Sequence, residues 1–129
     1  ELVARYRGRF AFLFVAKEVR HMSAVMTGND AAITSCGRTI YELAACGVPT
    51  LCLPQNNWER AHIPNAARCG ALVLESRELA AIRGALTTLL EDADYRAAAR
   101  HQMQQQDLRH GAARFWNIVQ MALLERSNA

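Results

Sequence analysis

A chain of 129 residues, 51% of them apolar and 21% charged, has the size and composition of a single globular domain. Such a chain buries roughly two-thirds of its unfolded surface without disulfides or a metal. Fifteen basic against twelve acidic residues give a net charge of +3. No apolar run reaches bilayer length, which excludes a membrane span, and no aromatic residues interleave with the basic ones on a predicted sheet surface, so nucleic acid is not an expected partner.

The chain opens without an initiator methionine or a signal peptide. Glu1–Arg7 reads as the last turns of a helix stopped by Gly8, so an N-terminally truncated sequence is expected. Phe10–Ala16 (FAFLFVA) is an aromatic and apolar run flanked by Arg9 and Lys17, the composition of a strand covered on both faces. Arg5, Arg7, Arg9, Lys17 and Arg20 read as a solvated face. Val19–Met26 carries apolar residues at helical spacing and ends at Gly28–Asn29.

Residues 31–54 are the most informative stretch. Ala31–Thr34 reads as a buried strand, followed by a glycine turn, a helix from Arg38 to Cys46, a glycine stop at Gly47 and a second buried strand from Thr50 to Leu53. This is a βαβ unit. The free N–H groups at the start of its helix, around Gly37, Arg38 and Thr39, are expected past the carboxyl end of the strand, where they can hold an anion such as a diphosphate. Glu42 lies three residues after Thr39, on the same helix face, and a carboxylate accepts two hydroxyl hydrogen bonds well.

A loop, Gln55–Asn65, then runs into a short helix that stops at Gly70, and Ala71–Leu74 reads as a further strand. Ser76 is a predicted N-cap for a helix from Arg77 to Leu90. Asp92 or Asp94 caps another that runs to about Gln106, and the last helix spans about Gly111 to Glu125. Strands alternating with helices imply an α/β domain with a parallel sheet of about four strands, flanked by helices. Repeats, low-complexity tracts and linkers are absent, so residues 1–129 form one domain.

The four cysteines, Cys36, Cys46, Cys52 and Cys69, contain no Cys-x-x-Cys pair and no histidine at zinc-finger distance. They read as free thiols of a reduced, cytoplasmic protein, and neither a metal nor a cofactor is expected. Cys36 is taken as a turn residue; its place at a predicted helix N-terminus, which lowers a thiol pKa, keeps a nucleophile as the alternative. Arg38 reads equally as a solvated residue or a phosphate contact. Trp58, in a polar loop, reads either as a platform for a base or sugar ring or as packed on its own domain.

The order of Ser-Cys-Gly-Arg-Thr-Ile-Tyr-Glu (35–42), Leu-Ala-Ala-Cys-Gly-Val-Pro-Thr (43–50), Pro-Gln-Asn (54–56) and Asp-Leu-Arg-His-Gly (107–111) resembles the spore-coat-polysaccharide biosynthesis proteins related to the pseudaminic-acid-pathway nucleotide-sugar hydrolase. That group is similar in turn to the lipid II-forming GlcNAc transferase, with the two-Rossmann-domain architecture called GT-B. The likeness runs from about Phe10 to Val119 and implies a truncated C-terminal half of GT-B, a Rossmann-like donor-binding domain. It implies that the loop matching Ser35–Thr39 approaches the nucleotide diphosphate and that Glu42 takes the ribose hydroxyls. It also implies that Gln55–Asn65 faces the sugar. The glutamine pair of the transferase falls at Ala61 and His62 and is absent here; His62, with Asn56, Asn57 and Arg60 beside it, remains able to donate to a sugar hydroxyl or a phosphate.

The resemblance places the general base in an N-terminal domain outside this chain, so no catalytic residue is expected here. The expected function is donor-nucleotide binding, of a UDP- or CMP-type sugar, within a nucleotide-sugar hydrolase or glycosyltransferase of surface polysaccharide biosynthesis. Ser35, Gly37, Arg38, Thr39, Glu42, Gln55, Asn56, Asn57 and His62 form the expected site. The alternative is a non-catalytic binding or assembly module with a vestigial pocket. A flavodoxin-like regulator is a third reading, which demands an acidic cluster at strand ends that offer Thr34, Ser35, Pro54 and Glu75 instead. The resemblance also implies that two strands are missing between the Phe10 strand and the Ala31 strand. Either those two pair directly, or a second copy of the chain covers the exposed edges.

Overall fold

The computed structural model describes residues 2–6, 8–9 and 13–127. Among them, helices α1 (Leu2–Tyr6) and α2 (Met22–Thr27) precede strand β1 (Ala32–Thr34), helix α3 (Thr39–Cys46) and strand β2 (Thr50–Cys52). Two short helices, α4 (Asn57–Arg60) and α5 (Ile63–Arg68), lead into strand β3 (Leu72–Val73). Then come α6 (Leu79–Glu91), α7 (Ala93–Gln105), a 3-10 turn (Leu108–His110) and α8 (Gly111–Ser127). The protein is therefore α/β.

The strands form one parallel sheet in the order β1-β2-β3, with Ile33 opposite Leu51 and Leu51 opposite Leu72. Every residue of β2 is buried, including Thr50, whose hydroxyl donates to the Val48 carbonyl at 2.7 Å. A central strand covered on both faces carries no alternation, which is why Thr-Leu-Cys gives no period-2 signal.

Three strands are present among the described residues, not about four. Of the expected Phe10–Ala16 strand, residues 10–12 lie outside the described set. Leu13–Ala16 forms no strand, with Phe14 87% exposed. Among the described residues β1 is consequently an edge, and Ile33 on it is 58% exposed. An apolar run becomes a strand only where another strand and a covering layer meet it, and none of the described elements does.

Helix α3 organises the core. Its Ile40 joins Cys36, Cys52 and Ala66, its Leu43 joins Met26 and Val48, and its Ala44 joins Cys69 and Met103. It ends in a Schellman motif: Val48 N–H reaches the Leu43 carbonyl (3.0 Å), Gly47 N–H reaches that of Ala44 (3.0 Å), and Gly47 sits at φ 71°. The same construction ends α5, with Ala71 N–H on Ala66 (3.1 Å), Gly70 N–H on Ala67 (2.9 Å) and Gly70 at φ 77°. These two glycine stops turn the chain back into β2 and β3.

Helix α6 begins two residues later than expected. Ser76 Oγ does accept a backbone N–H, that of Glu78 (3.2 Å), but Glu78 is the extended N-cap. Asp92 rather than Asp94 caps α7, accepting Tyr95 N–H at 2.8 Å. Helix α8 packs on the 3-10 turn and leaves Phe115, Trp116, Ile118, Met121, Leu123 and Leu124 exposed. No helix among the described residues is long and apolar enough to cross a membrane.

Candidate functional site

A parallel sheet delivers all its strand ends to one edge, so the segments after β1, β2 and β3 meet there. They are Ser35–Arg38, Leu53–Asn56 and Leu74–Glu78, and their side chains tie them together. Glu59, in α4, accepts Gln55 N–H at 2.8 Å and Cys36 N–H at 3.2 Å. Arg77 donates to the Pro54 carbonyl at 2.9 Å and to Gln55 Oε1 at 3.2 Å. Arg60 lies 3.8 Å from the Glu75 carboxylate, an exposed pair that contributes little to stability.

At the head of α3, the Gly37, Arg38 and Thr39 amides have no acceptor among the described residues, and Arg38 occupies the N-cap position without a side-chain cap bond. Unpaired donors at a helix start carry the positive end of the helix dipole. Gly37 is half-buried, and Arg38, Thr39 and Glu42 are exposed. A Cβ built on Gly37 would meet only Ser35 Oγ, at an ordinary 3.6 Å. Close packing within the chain therefore does not require glycine at this position.

Of the remaining expected residues, Gln55, Asn56 and His62 are engaged within the chain. Gln55 Nε2 donates to the Leu53 carbonyl at 2.7 Å, while its Oε1 accepts from Arg77. Asn56 is the N-cap of α4, its Oδ1 accepting Glu59 N–H at 2.9 Å. Asn57 is exposed at the first position of α4. His62 is half-buried edge-on to Trp58, with ring centroids 4.4 Å apart; Trp58 itself remains 62% exposed. Ser35 is half-buried beside Glu59.

Glu59 and Arg77 were not among the expected site residues, although they join the loops that carry them. Asn56-x-x-Glu59 carries the spacing of a capping box, the one local signal that marks Glu59. Arg77 has no such signal, since its partners lie on the preceding crossover loop.

Burial raises the pKa of the Cys36, Cys52 and Cys69 thiols. Cys36 is fully buried, and burial first of all raises its pKa, with the Glu59 charge acting in the same sense against a hydrogen bond from Cys52. Burial, followed by the neighbouring Cys36, pushes Cys52 up to about 12. Cys36 is thus a buried turn residue. All four cysteines are free, and no group of three or more His, Cys, Asp or Glu among the described residues is placed to hold a metal.

Two cavities bear on ligand binding. A cleft of about 200 Å³ opens between the β2 and β3 loops, lined by Leu53, Pro54, Leu74, Glu75, Ser76 and Arg77 and by none of the expected site residues. Another of about 230 Å³ lies at the opposite end of α3, among Ala44–Gly47, Met103 and Asp107–His110. Arg109 and His110 line the second cavity, and the helix-end carbonyls of Leu43, Ala44 and Ala45 there accept hydrogen bonds within the chain. No protein-family model, curated protein or solved structure matches the chain.

Proposed function

We propose that the chain is the donor-nucleotide-binding domain of a nucleotide-sugar hydrolase or glycosyltransferase, built as the C-terminal half of a GT-B architecture. The observation that carries this reading is the head of α3, where three consecutive amides have no acceptor among the described residues and Glu42 stands exposed one turn along. A diphosphate accepts from those amides, and Glu42 takes the hydroxyls of the ribose next to it. The substrate class is a UDP- or CMP-type sugar, and the chemistry resides with a further domain.

Calorimetric titration of the chain with UDP, CMP and GDP tests the reading. Micromolar to millimolar binding of one nucleotide is expected, weakened about tenfold in Glu42→Ala, the loss of a charge-assisted hydrogen bond. Unchanged affinity in that variant removes Glu42 from the site.

A non-catalytic assembly module is the second reading. It is favoured by Gln55, Asn56 and His62, whose side chains are engaged with neighbours in the chain. The open edge of β1 and the apolar surface of α8, which another chain or a second copy would cover, point the same way. Absence of binding by all three nucleotides selects it.

A further inference from the structure

In a parallel sheet, ligands enter the crevices outside the carboxyl ends of the strands. The cleft of about 200 Å³ between the β2 and β3 loops is such a crevice. Its apolar lining comes from Leu53 and Pro54 after β2, Leu74 after β3 and Ile82 in the first turn of α6. Its polar lining is the run Glu75-Ser76-Arg77, and the fold does not use that run up. Arg77 has five N–H groups; one on each terminal nitrogen goes to Pro54 or Gln55, which fixes the guanidinium, and the rest have no acceptor among the described residues. Ser76 Oγ accepts Glu78 N–H, and its own proton has no acceptor among the described residues. The Glu75 carboxylate accepts no hydrogen bond among the described residues; Arg60 stands 3.8 Å from it.

We infer that this cleft is a monosaccharide site, seating the sugar of the donor. Glu75 and Arg77 carry opposite charges, so the lining does not select an ion. Neighbouring ring hydroxyls both donate and accept, which answers a carboxylate and a guanidinium side by side, while Leu53, Pro54, Leu74 and Ile82 take the C–H face. The lining contains no aromatic ring, so the stacking that a nucleobase uses is missing. The volume lies below the roughly 300 Å³ at which pockets for larger ligands begin, which leaves space for one ring. Gln55, Asn56 and His62, the residues expected at the sugar, are engaged with neighbours, whereas Glu75, Ser76 and Arg77 keep open valences. The inference rests on the donor-binding reading for what carries the sugar. β1 and β3 are two strand spacings apart, about 10 Å, so a ring joined to a diphosphate at the head of α3 reaches the β2–β3 cleft.

The test uses the whole 129-residue chain and follows its amide and methyl resonances. The probes are UDP and, separately, the methyl glycosides of glucose, galactose, mannose and N-acetylglucosamine at up to about 100 mM, well above the millimolar affinity expected of a single ring. One glycoside is expected to shift the amides of Leu74–Arg77 and the methyls of Leu53 and Ile82, and to bind at least about fivefold more weakly to Glu75→Ala. Glu75 is exposed and only weakly paired, and dispersed spectra check that the variant folds. UDP binding with no glycoside moving those resonances overturns the sugar cleft and leaves the donor reading standing. A glycoside in the cleft with no UDP binding overturns the donor reading and leaves a sugar site. Undiminished glycoside binding by Glu75→Ala, or shifts confined to other residues, overturns the assignment of the cleft.

Discussion

The two ends of helix α3 have opposite finish. Its tail is satisfied more than once: the Schellman bonds through Gly47 and Val48 take the Leu43 and Ala44 carbonyls, Arg109 Nε donates to the Ala45 carbonyl at 2.9 Å, and Arg100 Nε donates to the Gly47 carbonyl at 3.3 Å. Its head leaves three amides without an acceptor among the described residues, while the Glu59 carboxylate is bonded to the amides of Cys36 and Gln55. A helix end finished for stability looks like the tail. The head leaves its amides open to solvent or to the proposed phosphate.

Glycines mark both kinds of end, and alanine substitution separates them. Gly70 is the most sensitive. It sits at φ 77°, and a Cβ there would lie 2.9 Å from the Ala99 carbonyl oxygen, a backbone atom of α7 that has nowhere to retreat. Gly70→Ala is expected to cost on the order of 2–4 kcal/mol of unfolding free energy, combining left-handed strain with the displacement of α7 from the end of α5. Chemical denaturation measures it, and a cost below about 1 kcal/mol would mean that the close approach of α7 is absent in solution.

Gly47 has the same backbone conformation, φ 71°, but nothing within 4 Å of its Cβ position. Strain alone remains, so Gly47→Ala is expected to cost about 1–2 kcal/mol by the same denaturation measurement. A cost equal to that of Gly70→Ala would show that sterics contribute nothing to the difference between the two stops. The tail of α3 is then an ordinary structural terminus whose disturbance lowers stability without touching the opposite end.

Much of this was legible in the residues. Both glycine stops, the strands they lead into and a cap at Asp92 or Asp94 follow from local rules, because a left-handed turn and an N-cap are decided within about six residues. The strand expected at Phe10–Ala16 was not local. Its composition asks for neighbours on both faces, and Leu13–Ala16 meets no strand among the described elements. The start of α6 moved for a related reason: the Arg77 side chain is bonded to Pro54 and Gln55 across the sheet edge, and the helix begins only after Glu78. At the site, the turn residues 35–39 and Glu42 could be placed from the βαβ pattern. The engagement of Gln55 with Arg77, and of Glu59 with Cys36, depends on residues about 22 positions apart, which no spacing rule connects.

Gly37 sharpens the comparison most finely because its expected effect on stability is the smallest and has the opposite sign. Its φ lies outside the left-handed region, and its Cβ position is clear apart from Ser35 Oγ at 3.6 Å. Alanine there is expected to leave unfolding free energy unchanged or raise it by about 0.5 kcal/mol, by restricting the unfolded chain. On the proposed donor-site reading, a methyl group at the first of three open amides stands where a phosphate oxygen approaches the backbone, so UDP affinity is expected to fall about tenfold while stability holds. A stabilised variant with undiminished nucleotide binding would place the phosphates elsewhere and reduce Gly37 to a turn. A destabilised one would show that the head of α3, like its tail, is finished by contacts within the chain.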